Sequence, residues 1–439
     1  MSEVHDRRGS AVTASEPVTR APHQGLVLLP GAGSVTLDDV VARSLDLGLR
    51  RIQMLAWRDL DDPEAGGSER HADHVAARWA DAGLDVTVRT SAAAGHPAHV
   101  ERDGYHVLRR GRRYSVFPRS AFSGLLGRGR PDGLVEIWNG MPFFSPLWAR
   151  VPRVVFLHHV HAEMWRMVLR PGRARAGELV ESRVAPLLYR GTRVVTLSES
   201  SRREILSMLG LRPARVSVVS PGVEVRFSPA GDRSRHPLVV AVGRLVPVKR
   251  FDVLMDVLGQ VRRRVPNLRA VIVGEGYERA RLEAHRAALG AQEWIDLPGH
   301  MDDDELLGLY RRAWALASTS QREGWGMTVS EAAACGTPAV VSRIAGHVDA
   351  VEDGVSGLVV SLDAADRRRR ASTATHTPSP SQATSFADAL ETVLVDPALR
   401  ARLGQAASRR AQALTWESTA AGTLDALVDE AVARKRPGR

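Results

Sequence analysis

Cysteine is almost missing from this sequence: Cys335 is the only one among 439 residues. No disulfide can form within the chain, which suits a reducing compartment. Long apolar runs are missing as well, since no stretch approaches the ~20 consecutive apolar residues of a membrane-spanning helix. Residues 1–24 are polar, with Pro and Arg but no apolar segment of the kind a secretory leader carries, and a disordered tail is expected there. These absences point to a cytoplasmic protein. Lysine is the third scarcity: of 60 basic residues, only Lys249 and Lys435 are lysine. The net charge of +10 would suit nucleic acid or an anionic membrane. The arginines, however, are spread along the chain as a compositional bias would spread them, and no nucleic-acid partner is inferred. A lysine kept in such a background marks a position that a guanidinium does not serve.

At this length two or three domains are expected, and the composition, 44% hydrophobic and 25% charged, is that of a globular protein. Short runs rich in Val, Ile and Leu recur at 51–57, 86–89, 134–138, 154–157 and 194–197. They recur again at 238–242, 269–273, 315–318, 339–341 and 358–360, with helical stretches between. Continuous apolar strands alternating with amphipathic helices require a parallel sheet covered on both faces, and two such series predict two doubly wound α/β domains. The first domain is placed at 25–222, a polar linker with Pro229, Gly231 and Pro237 at 223–237, and the second domain at 238–415. An Arg-, Ser- and Pro-rich insertion at 364–384 is read as mobile. A last helical segment, about 385–433, ends in a basic tail.

Ligands of open parallel sheets bind beyond the carboxyl ends of the strands, so the loops there carry the chemistry. After the run 315–318 comes Gln321-Arg322-Glu323-Gly324-Trp325-Gly326-Met327-Thr328, leading into a helix that holds Glu331 and stops at Gly336. Gly324 and Gly326 permit close backbone approach, and amides at a helix start hold phosphate oxygens. Glu323 and Glu331 are spaced to grip different hydroxyls of one ligand. After the run 238–242, Gly243 permits a turn, and Arg244 and Lys249 supply two cations near a helix start, an arrangement suited to a diphosphate.

Gly-Arg-Leu-x(3)-Lys, followed about eighty residues later by Glu-Gly-x-Gly-x(4)-Glu, resembles the donor domain of GT-B glycosyltransferases of family four. Gly274-Glu275-Gly276, Leu297-Pro298-Gly299-His300-Met301, Gly336-Thr337-Pro338 and Gly354-Val355-Ser356-Gly357 are similar to further family motifs, in the same order. The resemblance implies two Rossmann-like domains facing across a cleft, with the C-terminal helix, 416–439, packing back toward the first. It implies a retaining transfer of a sugar, a hexose by expectation, from a nucleotide-diphosphate donor, without a metal or other cofactor, in cell-envelope glycan synthesis. Arg244 and Lys249 would bind the diphosphate, Glu331 the ribose hydroxyls and Glu323 the transferring sugar. Gly324, Trp325, Gly326, Met327 and Thr328 would lend backbone amides. The base would sit near Gly274, Gly276, His300 and Met301. Gly66 and Gly67, which open the helix 70–82, resemble the family's acceptor-side loop approaching the donor phosphates. A nucleotide-sugar epimerase or a glycosyl phosphorylase on the same fold is the alternative.

The run 154–157 ends in His158, His159 and His161. The family places a histidine there beside the transferring sugar; the strand end favours His158, with His159 and His161 as competitors. No ligand set accompanies them that would make a metal site. Acidic runs at 59–62 and 302–304 suggest a metal motif of another transferase fold, but Asp302 with Glu305 reads as a helix capping box. The stretch 165–193 mixes arginines with apolar residues and could meet an anionic membrane at its inner face. A solvated face is the plainer reading. The acceptor and the oligomeric state are not specified by these motifs.

Overall fold

Strands buried on both faces cannot alternate polar and apolar residues, and those of this protein do not. The computed structural model describes residues 35–126, 130–362 and 380–435. The tail, most of the 364–384 insertion and the last four residues lie outside the described residues. The first sheet consists of β1 (Arg51–Leu55), β2 (Asp85–Thr90), β3 (His99–Arg102), β4 (Tyr105–Arg109), β5 (Gly133–Ile137), β6 (Arg153–Phe156), β7 (Arg193–Thr196) and β8 (Val216–Val218). Their order is β3-β4-β2-β1-β5-β6-β7-β8, parallel apart from the β3–β4 hairpin. The second sheet holds β9 (Leu238–Val242), β10 (Arg269–Val273), β11 (Ile295–Gly299), β12 (Ala315–Ser318), β13 (Ala339–Ser342) and β14 (Gly357–Val360). It runs β11-β10-β9-β12-β13-β14, wholly parallel. Strand order reverses beside β1 and beside β9, so each sheet opens a crevice at its carboxyl edge there. This is the two-domain doubly wound α/β fold.

The helices cover both faces. In the first half they are α1 (Leu37–Asp46), α2 (Gly67–Asp81), α3 (Val116–Leu126), α4 (Ser145–Trp148), α5 (Met164–Val168), α6 (Pro171–Leu179), α7 (Ala185–Tyr189) and α8 (Glu199–Leu209). The second half adds α9 (Phe251–Arg264), α10 (Arg279–Ala288), α11 (Asp303–Arg312), α12 (Met327–Ala334), α13 (His347–Ala350), α14 (Pro380–Val395), α15 (Pro397–Gln412) and α16 (Trp416–Lys435). The capping box opening α11 is present: Asp302 accepts from the Glu305 amide at 2.8 Å, and Glu305 accepts from the Asp302 amide at 3.3 Å. In the other acidic run, Asp59 accepts from Arg109 Nη2 at 2.6 Å, and Asp61 is held by Arg102 and Arg109.

Two expectations need correction. The insertion placed at 364–384 gives way to helix by Pro380, and the helical stretch ahead of the C-terminal helix (Trp416–Lys435) is broken in two at Asp396. Asp396 and Pro397 make one break: the Asp396 side chain accepts from the Leu399 amide at 2.9 Å and starts α15.

Helix α16 leaves the second sheet's side and packs on the first. Leu424 and Leu427 are fully buried in the same core as Val135, Val154 and Phe156, and Trp79 Nε1 donates to the Ala420 carbonyl at 2.9 Å. The chain therefore passes between the sheets twice, after β8 and before α16, and the two passes touch. A Cβ on Gly222 would stand 2.2 Å from the Trp416 nitrogen, the Val223 amide donates to Leu414 at 3.0 Å, and Thr419 Oγ1 donates to Ser220 at 2.8 Å.

Because Leu427 is wholly buried against β5, Leu427→Ala should cost about 2–5 kcal/mol. Urea unfolding checks this; a loss below 0.5 kcal/mol would mean that α16 is not part of the first core.

Candidate active site

The carboxyl ends of β1, β5 and β6 and those of β9, β10 and β12 line one cleft of about 1000 Å³. The donor-side loops come first. Gly243 and Gly274 both have left-handed φ, 158° and 139°, and the loops after β9 and β10 lie backbone on backbone. A Cβ on Gly274 would sit 2.0 Å from the Gly243 carbonyl oxygen, and one on Gly276 would sit 2.3 Å from that of Leu245. Glycine is needed there for loop packing. Gly274, Glu275 and Tyr277 line the cleft with His300 and Met301, whereas Gly276 does not itself reach it.

The loop after β12 carries the carboxylates. Glu323 accepts from Lys249 Nζ at 2.5 Å and from Ser320 Oγ at 2.9 Å. Burial pushes the Glu323 carboxyl up, but the Lys249 ammonium beside it, with His347, holds it below the usual carboxylate range. Lys249 thus reaches the cleft already joined to a carboxylate 74 residues on. Gly326 caps α12 at φ 103°, which turns the first amides of that helix into the cleft with Met327 and Thr328. Trp325 is buried and donates from Nε1 to Ser330 Oγ at 2.8 Å, fixing the turn. Glu331 lies one turn along α12 and accepts from Tyr310 OH at 2.9 Å; burial raises its carboxyl against the pull of Arg70.

Arg244 is not in any ion pair among the described residues. Its Nη1 donates to the Glu64 carbonyl at 3.3 Å, and burial, with Arg58 nearby, disfavours its charge. Such a cation gains most from an incoming anion. Across the cleft, Gly66 faces it: a Cβ there would come within 3.2 Å of Arg244 Nε, and one on Gly67 within 3.5 Å of Met327 Sδ. The start of α2 is braced by Glu69, which accepts from the Gly66 amide at 2.8 Å and from Arg58 Nε at 2.9 Å.

His158 follows β6 and meets the donor-side loop directly, since a Cβ on Gly324 would lie 2.5 Å from the His158 carbonyl oxygen. Its Nε2 is 3.4 Å from Nδ1 of His71 in α2. Burial lowers His158 to about 4 and His161 to about 3, and puts His159 well below its ordinary value. All three rings line the cleft uncharged near neutrality. Among the described residues no three His, Cys, Asp or Glu side chains are grouped to hold a metal ion.

The structure therefore brings fifteen of the sixteen residues singled out to one cleft; only Gly276 stands back from the lining. Sequence reasoning missed Arg58, Tyr277, His71 and His347. Arg58 and Tyr277 directly follow strand-end positions and could have been found there. His71 and His347 have no local signal: they become part of the site only when α2 and α13 pack beneath it. Gly326 rests against His347, where a Cβ would be 3.1 Å from the ring.

This geometry defines a class, α/β proteins with a ligand cleft between two facing parallel sheets. Residues 226–410 match the model described as Glycosyl transferases group 1, and residues 65–227 that described as Glycosyltransferase Family 4. The chain belongs to the GT-B glycosyltransferases of this family-four type. A D-inositol 3-phosphate glycosyltransferase from Kribbella flavida is 32% identical over 253 residues, 53% of this chain and 55% of that protein. The match thus spans little more than half the length of that relative. Two solved structures show the same fold. Sucrose-phosphate synthase from Thermosynechococcus elongatus has a TM-score of 0.71 at 19% identity, covering 88% of this chain and 99% of that one. Anabaena HepE in complex with UDP-glucose has 0.63 at 19% identity, covering 87% and 99%. No helix among the described residues is long and apolar enough to cross a membrane.

The buried histidines make a pH prediction. A histidine whose folded value is depressed from 6.5 to about 4, as at His347, contributes stability above pH 6.5 that is lost as pH falls toward 4, because the unfolded chain protonates first. Glu136, Glu181 and Glu331, raised by burial, act in the opposite sense but are common to wild type and variant. Between pH 7 and 5 the urea midpoint of wild type should fall further than that of His347→Asn. Equal falls would show that the ring is not held neutral.

Proposed function

We propose that the protein transfers a sugar, with retention of anomeric configuration, from a nucleotide-diphosphate donor to an acceptor bound on the first domain's side of the cleft. The observation that carries this is Arg244: a half-buried cation with no ion pair among the described residues, against the Gly66-Gly67 turn and in one cleft lining with Met327 and Thr328 at the start of α12. A diphosphate there would take two cations, Arg244 and Lys249, and the helix amides. These groups stabilise charge where it develops as the bond from anomeric carbon to phosphate oxygen breaks. Glu331 would take the ribose hydroxyls. Glu323, held by Lys249 and Ser320, would take sugar hydroxyls, and so would His158 or its neighbours.

In this reading the electron pair of the breaking bond leaves with the diphosphate. The acceptor oxygen attacks the same face, and its proton passes to the departing phosphate oxygen. Glu323 already holds two donors and is occupied as a positioning group. No resident metal is part of this proposal; Arg244 and Lys249 would supply the positive charge. A cytoplasmic location, a role in cell-envelope glycan synthesis and peripheral contact with an anionic membrane belong to the same proposal. The membrane contact is supported by the exposed Arg170, Arg173, Arg175, Arg183 and Arg190 beside exposed Val168 and Leu187. An epimerase or phosphorylase would need no separate acceptor site.

A panel of UDP-, GDP- and ADP-sugars, followed by thermal shift and calorimetry, tests the donor reading. One nucleotide class should raise the melting temperature, and Lys249→Ala and Arg244→Ala should each weaken its binding at least tenfold. His158→Ala should lower kcat far more than donor affinity. A folded wild-type protein that binds no member of the panel would defeat the proposal.

A further inference from the structure

The cleft is chemically lopsided, and the donor reading uses only one half. Its other half is walled by Trp57 after β1, Phe117 on α3, Met141 and Phe144 after β5, and Trp165 and Met167 around α5. The fold commits buried groups to holding this wall. Glu136, fully buried in β5, accepts from the Phe143 amide at 2.6 Å and from Tyr189 OH at 2.5 Å, which sets the loop bearing Met141 and Phe144. Glu181 sits in a π-helical turn at Val180–Val184, a feature that recurs at functional sites. It accepts from the His161 and Ala162 amides at 2.8 and 3.0 Å and from Trp165 Nε1 at 2.9 Å. Gly177 lets α6 lie on the Trp165 ring, where a Cβ would be 2.5 Å away.

The polar groups of this half lie at its inner end. His159 Nε2 and His161 Nδ1 are buried without a hydrogen-bond partner among the described residues. The inner cations are already neutralised: Arg58 pairs with Glu64 and Glu69, and Arg113 with Glu64. Arg173, which has no ion pair among the described residues, stands in the lining on the exposed face of α6. Arg244, which acts on His161 and has no ion pair among the described residues, is taken by the donor in the reading above, so a small polyol phosphate would compete for that cation and would leave the aromatic and methionine wall against water.

We infer that the acceptor is an amphiphile. Its hydroxyl-bearing head lies at His159 and His161, and an apolar chain or ring system lies along the Trp57–Phe144–Met167 wall. This rests on the transferase reading above, whose donor half it leaves unchanged. The bond formed is between the head hydroxyl oxygen and the anomeric carbon, with the hydroxyl proton leaving on the donor diphosphate.

The test uses the full chain and n-butyl, n-hexyl and n-octyl β-D-glucoside below their micellar concentrations, with D-inositol 3-phosphate as the polar comparison. Calorimetry should show affinity rising roughly tenfold for each two methylenes, the gain expected when each is taken out of water. Met167→Gln and Phe144→Ser should weaken octyl glucoside at least tenfold. Leu187→Ser, at an exposed site on α7 that is not part of the cleft lining, should leave that affinity unchanged. Chain-length independence overturns the inference. So does tighter binding of inositol phosphate than of octyl glucoside, or loss of octyl binding in Leu187→Ser with Met167→Gln unaffected. Donor thermal shifts are read in parallel on every variant. Donor binding without chain-length dependence defeats this inference alone, whereas absence of donor binding defeats the transferase reading.

Discussion

The crossing of two chain segments at Gly222 and Trp416 decides which surfaces of this protein can meet. Parallel sheets offer ligands only their carboxyl edges, so two such sheets share a site only if those edges face each other. Here the outgoing linker and the returning one touch backbone to backbone, with no room for a side chain on Gly222. Hydrogen bonds from Val223 to Leu414 and from Thr419 to Ser220 lock the crossing. Trp416, fully buried, then packs beside His71 and His74 of α2, ring centroids 5.9 and 4.2 Å away. The helix that aims the Gly66-Gly67 turn is therefore braced by the same residue that ends the crossing.

With the edges facing, short polar contacts join the loops across the cleft. Ser198 and Ser201 donate to the Gly324 carbonyl at 3.2 and 3.1 Å, and Arg322 pairs with Glu163 at 2.9 Å and with Glu204 at 2.5 Å. The Glu323 loop is thus positioned by the first domain as much as by its own sheet. A paired charge within a shielded cleft fixes its partner's geometry while it faces a ligand, and one without an ion pair offers its charge undivided. Lys249 is of the first kind, and Arg244 is of the second. The two cations that sequence spacing makes look equivalent are electrostatically different: Lys249 also positions a carboxylate, and Arg244 has no ion pair among the described residues.

The central strands of both sheets were legible because burial on both faces leaves an unbroken apolar run. Leu238–Val242, Arg269–Val273 and Ala315–Ser318 occupy the spans the sequence indicates. β3, β4 and β8 were not legible. His99–Arg102 alternates exposed with half-buried residues at the sheet edge, Tyr105–Arg109 is interrupted by His106, and Val216–Val218 is only three residues long. The same divide runs through the cleft. Residues on loops that follow central strands, such as Arg244, Lys249 and Glu323, could be read from position and type. The apolar wall of the cleft could not, because Trp57, Phe144 and Met167 come from separate elements and each looks like an ordinary core or surface residue alone. The helical stretch ahead of the C-terminal helix read without a break because helix propensity runs on through Asp396, and only the cap there divides it.

The histidine after β6 is constrained by its own burial. A ring held near 4 carries no charge at neutral pH and is too weak a base to take a hydroxyl proton efficiently there. With one ring nitrogen turned to His71, His158 has one remaining hydrogen-bonding nitrogen to offer a substrate. Positioning a sugar hydroxyl fits that capacity, and proton transfer to the departing phosphate, as proposed, does not ask more of it. The neighbouring rings differ in the same respect: His159 and His161 each keep a buried nitrogen without a hydrogen-bond partner among the described residues. A division of labour is consistent with that packing: His158 meets Gly324 through its backbone and Cβ and turns its ring to His71, while the His161 ring lies 5.4 Å from Trp165 and 5.1 Å from His159. The triplet that looked redundant in sequence can then serve both substrates at once.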